Sequence, residues 1–149
     1  MTRVTVQVKR LAGNGDVPLP AYASASAAGL DLCAAVETDL VIARGEITLV
    51  PCGISIEIPP GYEGQVRPRS GLASRSGITL VNSPGTIDSD YRGEVRVPII
   101  NLGPADFTVT RGMRIAQLII APVAHVELKE VSSLSETARG EGGFGHTGM

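Results

Sequence analysis

Apolar and polar residues alternate with a period of two in one short stretch after another, the pattern of half-buried strands. Val4, Val6 and Val8 alternate with Thr5, Gln7 and Lys9, which predicts a half-buried first strand. Val36 to Ile42, Ile47 to Val50 and Gly53 to Ile58 follow as predicted strands. In the last of these Ile54, Ile56 and Ile58 stand against Ser55 and Glu57, and Pro59-Pro60-Gly61 ends the run. Gln65 to Arg69 is a further short strand, whose Pro68 suits a sheet edge or a strand end because proline donates no ladder hydrogen bond. Ser70 to Gly77 can hold a single helical turn, the one helix the pattern predicts. Ile78 to Val81 and Val95 to Leu102 are β-branched runs that read as the arms of a long hairpin, turned at its entrance by Asn82, Ser83, Pro84 and Gly85. Phe107 to Val109, Met113 to Ile120 and Val123 to Val131 complete the strands, with a turn at Arg111-Gly112. From Ser132 the periodicity stops. Residues 1–131 are therefore expected to fold as one domain, and 132–149 to form a flexible glycine-rich arm that buries too little apolar surface to order itself.

Composition supports an all-β chain. The 18 Gly and 10 Pro are spread along 149 residues, as many short strands joined by tight turns require. Aromatic residues are 3% and Trp is absent, so the core must be aliphatic and stacking surfaces for single-stranded nucleic acid are not expected. A net charge of -2 argues against a nucleic-acid or anionic-membrane surface. Charge is unevenly distributed, however. Between Arg67 and Arg114 stand seven arginines (Arg67, Arg69, Arg75, Arg92, Arg96, Arg111, Arg114) against four acids (Asp88, Asp90, Glu94, Asp106). Of the 13 basic residues only Lys9 and Lys129 are lysine, a bias that suits bidentate phosphate recognition and also follows from a G+C-rich genome. Cys33 and Cys52 have no metal-ligand spacing and are expected as buried thiols in a reducing compartment. With no apolar run long enough to span a bilayer and no leader segment, a bacterial cytoplasmic location is expected.

The densest chemistry lies between the hairpin arms. Asp88, Asp90, Tyr91, Arg92 and Glu94 crowd the stretch from Gly85 to Glu94, where a plain connection needs about two to five residues. A solvated, salt-bridged loop and a binding site both fit that crowding. Asp31 is a lone carboxylate among small apolar residues, costly to bury without a partner or a role, unless it sits exposed at a strand end. Arg69-Ser70-Gly71 joins a guanidinium, a hydroxyl and a permissive backbone. Gln117 stands among apolar neighbours and fits a satisfied structural amide as well as a ligand-binding one. Gly140, Gly142 and Gly145 match the letters of a dinucleotide fingerprint, but no strand precedes them and no helix can follow. What survives there is a glycine-rich backbone able to approach an anion, with Arg139 beside it. His125 and His146 form no cluster and no hydrolase arrangement.

Five segments stand in order: Ala28-Gly29-Leu30-Asp31-Leu32, Pro68-Arg69-Ser70-Gly71-Leu72-Ala73, Gly85-Thr86-Ile87-Asp88 through Tyr91-Arg92-Gly93, Arg114-Ile115-Ala116-Gln117-Leu118, and Arg139-Gly140 through Phe144-Gly145. In order and spacing they resemble the five motifs of the trimeric dUTP diphosphatase (dUTPase) family, over nearly the whole chain. The resemblance implies a jelly-roll-like β-barrel with one short helix. It also implies a homotrimer with active sites shared between subunits, closed by the C-terminal arm, and Mg²⁺-dependent hydrolysis of dUTP to dUMP and pyrophosphate. That reaction lowers dUTP, limits uracil in DNA and supplies dUMP for thymidylate synthesis.

Carried over by residue, the resemblance makes Asp88 the acid that activates the attacking water, with Asp90 a competing position taken as structural. Asp31 would hold Mg²⁺ through coordinated water. Arg69, Ser70, Gly71 and Gln117 would line the phosphates, and Arg139 would cover their far end. The hairpin backbone at Thr86 and Ile87, with Asn82, would pair the uracil edge; Tyr91 would pack under the deoxyribose, and Arg96 would approach base or sugar. Phe144 and Gly145 would close over the base, while His146 stands where many relatives have Ser. A dCTP deaminase on the same fold and a non-catalytic nucleotide sensor are the alternatives. The short chain, the Gly-Phe-Gly arm and Asp88 with Tyr91 weigh against the first, and the intact Asp31, Asp88 and Arg139 against the second.

Overall fold

The computed structural model describes residues 3–143, and most of the alternating stretches among them are strands. The order is β1 (Gln7–Arg10), β2 (Ala21–Tyr22), β3 (Leu30–Cys33), β4 (Leu40–Ile42), β5 (Ile47–Glu57), β6 (Tyr62–Pro68), α1 (Ser70–Ser76), β7 (Ile78–Leu80), β8 (Gly85–Ile87), β9 (Glu94–Asn101), β10 (Phe107–Val109) and β11 (Arg114–Pro122). They form a four-stranded sheet β1-β5-β9-β7, a five-stranded sheet β2-β3-β11-β6-β8 and a pair β10-β4. All pairings are antiparallel. Val50, Ile54, Ile56, Val97 and Ile99 from one sheet meet Leu32, Val66, Ile87 and Leu118 from the other in one aliphatic core. This is the jelly-roll-like, all-β architecture expected, with α1 as the single helix among the described residues.

The two strands predicted over Ile47–Val50 and Gly53–Ile58 are one strand, β5, carried through Pro51 and Cys52. Against β9 its register passes from Pro51↔Arg96 to Ser55↔Glu94, so three residues of β5 oppose Val95 alone. An excess of two residues preserves the side-chain alternation, and Val50, Cys52, Ile54 and Ile56 all stay inward. Pro68 closes β6 beyond its last pairing with β8, at a strand end as its missing donor requires. Helix α1 stops at Gly77, whose φ of 66° is left-handed and whose amide donates to Ala73.

Further expectations need correction. Of the strand expected over Val36 to Ile42, only Leu40–Ile42 forms, as β4. The first strand is shorter than Val4 to Lys9 and exposed at every residue; Val4, Val6 and Val8 instead line an apolar groove with Leu30, Ile56 and Leu118. The hairpin arms β7 and β9 do pair, Leu80 opposite Ile99, but β8 between them crosses to the other sheet and pairs with β6. Val123 to Val131 is not a strand. Val126 and Leu128 are 77% and 92% exposed, because alternation supplies side chains but not the partner edge that strand amides need.

Candidate active site

The crossing of β8 leaves a cleft lined by residues of both sheets. It has a volume of about 320 Å³ and gathers Asn82, Thr86, Ile87, Asp88, Tyr91 and Arg96 against Leu49, Glu94, Val95 and Pro98. Six predicted site residues are thus brought together. The Tyr91 amide donates to the Asp88 carbonyl at 3.1 Å, tightening the turn, and its hydroxyl donates to the Glu94 carbonyl at 3.0 Å. Gly93 is required beneath that ring, since a Cβ there would lie 2.4 Å from the Tyr91 hydroxyl. Arg92 pairs with Glu57 at 3.4 Å and donates to the carbonyls of Ser89 and Tyr91, so part of the crowding is a salt-bridged loop. Asp88 is not part of it: its side chain is exposed at the cleft and takes no hydrogen bond from another described residue.

A second cluster forms on the five-stranded sheet. Its centre is Asp31, 6% exposed, with one carboxylate oxygen 3.2 Å from Nε of Arg69 and the other 3.0 Å from Nη1 of Arg114. The β11/β3 register slips by one residue between Arg114 and Ala116, and this bulge aims Arg114 at Asp31. Gln117 sits opposite Asp31 on β3 and opposite Arg67 on β6. Gly29 keeps that approach open, since a Cβ there would come within 3.2 Å of the Gln117 Cβ. Ser70 and Gly71 open α1 directly after Arg69, and a Cβ on Gly71 would meet Nη2 of Arg75 at 2.9 Å. Sequence reasoning passed over Arg114; the available signal was a buried acid with a basic residue opening the strand that pairs with it.

One chain keeps the two clusters apart. Ile87 pairs with Gly64 near the start of β6, which places Asp88 beside that end, whereas Arg69 follows the other end. Six extended residues between them span about 20 Å. Arg139 is not brought to either cluster: its Nε donates to the Gly142 carbonyl at 2.7 Å, within the arm's own turn. Phe144, Gly145 and His146 lie outside the described residues. No group of three or more His, Cys, Asp or Glu that could cage a metal occurs among the described residues.

Other reactive groups serve the framework. Arg111 holds Asp16 through Nε and Nη2, both at 2.8 Å, and donates to the carbonyls of Gly13 and Val36. Those hydrogen bonds pull the Asp16 carboxyl down to about 2. Cys33 and Cys52 are free and buried, as expected; burial raises both thiols, Cys52 to about 12, so neither is a thiolate nucleophile at neutral pH.

The dUTPase family model matches residues 15–148. The chain belongs to the dUTPase family. Within it, the chain is similar to the deoxyuridine 5'-triphosphate nucleotidohydrolases of Rhizobium rhizogenes and Rhizobium etli, each 57% identical over 150 residues, 99% of this chain and 96% of the relative. Among solved structures it is similar to the dUTPase of Staphylococcus bacteriophage 80alpha with dUPNHPP. That similarity has a TM-score of 0.88 at 28% identity and covers 97% of this chain and 99% of the other. Of the five segments singled out in the sequence, the third supplies the cleft, and the first, second and fourth supply the Asp31 cluster.

Proposed function

We propose that this chain hydrolyses dUTP to dUMP and pyrophosphate in sites shared between the copies of a homotrimer. The observation that carries the reading is the cleft lined from both sheets, which gathers Asn82, Thr86, Ile87 and Tyr91 and carries one carboxylate, Asp88, that takes no hydrogen bond from another described residue. Uracil enters with its polar edge against Asn82 and the backbone at Thr86 and Ile87. Buried polar groups left unpaired by the wrong base discriminate by about 10⁴, more than a methyl contact supplies. Tyr91, held by its bond to Glu94, packs under the deoxyribose and leaves no room for a 2′-hydroxyl.

Asp88 accepts a proton from a water as its oxygen bonds to the α-phosphorus. The bond from that phosphorus to the bridging oxygen breaks, and pyrophosphate leaves with the electron pair. Arg69, Ser70, Gly71 and Gln117 line the phosphates, where their donors count most as charge develops. Since about 20 Å separates Asp88 from Arg69 along β6, the acid and the phosphate donors of one site come from different copies. Arg139, with Phe144 and Gly145, closes the arm over base and phosphates.

The donor set fits Mg²⁺ in one way only. Each Asp31 oxygen already accepts one guanidinium hydrogen bond and keeps a lone pair free, so it suits a bond to metal-held water and not an inner-sphere cage. Mg²⁺, held chiefly by phosphate oxygens, would neutralise charge on the triphosphate.

Pyrophosphate and ammonia release, measured separately from dUTP, dCTP, dTTP and UTP with Mg²⁺, tests the reading. Pyrophosphate from dUTP alone is expected. Ammonia from dCTP would move the chain to deamination, and no product would leave a nucleotide sensor. An active enzyme lowers dUTP, limits uracil in DNA and supplies dUMP for thymidylate synthesis; a bacterial cytoplasmic role fits that task.

A further inference from the structure

Glu94 opens β9 and lines the cleft, and its three polar contacts reach two other lining residues and one residue of β5 outside the lining. Its carbonyl accepts the Tyr91 hydroxyl at 3.0 Å. One carboxylate oxygen accepts the Gly53 amide at 3.1 Å, across 41 positions of sequence. The other accepts from Nε of Arg96 at 2.8 Å. The Gly53 contact lies in the β5 irregularity, where three residues oppose Val95 and the ladder leaves that amide without a strand partner. Gly53 has a φ of 66°, and a Cβ there would meet Asn14 at 2.6 Å and Ala35 at 2.8 Å, so the position that presents its amide to Glu94 calls for glycine. The Glu94 side chain is 18% exposed, while that of Arg96 is 54% exposed. Arg96 lines the cleft on one side and, with Glu94, a second polar cavity of about 400 Å³ on the other, so no packed layer backs it. Its bond to Glu94 is the one hydrogen bond its guanidinium makes among the described residues.

We infer that Glu94 is a positioning residue for nucleotide selection, anchored in β5 and acting on the cleft through Arg96. The β5 amide fixes the carboxylate, the carboxylate fixes the guanidinium at the rim, and the sugar-packing Tyr91 is fixed to the same residue's main chain. The inference rests on the reading of the cleft as a deoxyuridine site. Glu94→Gln separates charge from shape. The carboxamide oxygen can still accept the Gly53 amide, but its NH₂ then faces Nε of Arg96, donor against donor, and the guanidinium loses its hold.

Steady-state kinetics with dUTP and UTP, on the full chain carrying Glu94→Gln, Arg96→Ala or both, tests this. In Glu94→Gln the dUTP-over-UTP ratio of kcat/KM is expected to fall about tenfold, with KM for dUTP rising and kcat changing less than about threefold. The double variant is expected to match Arg96→Ala, because the two act in series. An unchanged ratio in Glu94→Gln, or additive losses in the double variant, overturns the inference, whatever happens to the melting temperature. Should Glu94→Gln fail to fold, Glu94→Asp keeps the charge but draws it back one methylene, and the same fall in ratio is expected. A parent chain that neither hydrolyses dUTP nor binds dUpNHpp would overturn the deoxyuridine reading itself, and this inference with it. An active parent with an unshifted variant overturns the role of Glu94 alone.

Discussion

Two carboxylates of this chain have opposite surroundings, and each predicts a different experiment. Asp88 is exposed at the cleft with no described donor on its oxygens, the condition of a base that takes a proton from water. Asp88→Asn is expected to lower kcat by about 10²–10⁴, the usual worth of a positioned general base, and to leave dUpNHpp affinity close to the parent's in a calorimetric titration. Asp16 is saturated by Arg111, which holds its carboxyl at about 2 against an ordinary 3.8. A depressed folded value means that the pair favours the fold above the ordinary value and stops doing so as pH falls through the folded one. Melting temperatures of parent and Asp16→Asn should therefore differ by a small, constant amount above about pH 5 and converge between about pH 4 and pH 2. Asp88 was legible in the sequence because its neighbours formed a recognisable motif. The Arg111–Asp16 pair was not: it joins residues 95 positions apart, and nothing local to either announces the other.

Among the elements, α1 depends on two glycines that touch. A Cβ on Gly77 would stand 2.5 Å from the amide nitrogen of Gly103, at a φ where side chains are already strained. Gly77→Ala is expected to cost about 2 kcal/mol or more and to lower the melting temperature by roughly 4–8 °C. Gly45→Ala, at a φ of 79° with open space around it, carries only the strain and should fall by less. The same measurement on both variants separates backbone strain from collision. Short strands were legible wherever alternation had an inner face to fill, as at Ile54, Ile56 and Ile58. Register slips were not, because the excess of two residues in β5 leaves the alternation unbroken and the single excess at Ile115 is invisible without its partner strand. Nor could pattern tell that β8 would leave the sheet of its flanking arms, since Gly85 to Ile87 reads the same opposite β6 as opposite β9.

For the whole molecule, the separation of Asp88 from Arg69 predicts complementation. Asp88→Asn and Arg69→Ala chains, each expected to be inactive alone, should regain up to about a quarter of parental dUTP turnover when unfolded together and refolded in equal amounts, because a site taking its acid from one copy and its arginine from another is then intact one time in four. Sites contained within single chains would regain nothing. The sequence could rank the site residues by motif, but it carried no distance, and the 20 Å between the clusters emerges only once β8 is seen to run antiparallel to β6. The cleft takes Thr86 and Ile87 from a strand of one sheet and Leu49, Val95 and Pro98 from strands of the other. Its walls are tied to each other through the aliphatic core that joins the sheets, like two hands on one hinge. A substitution at Val97 or Ile99 would shift one wall against the other, so a change that touches no nucleotide would alter which pyrimidine fits.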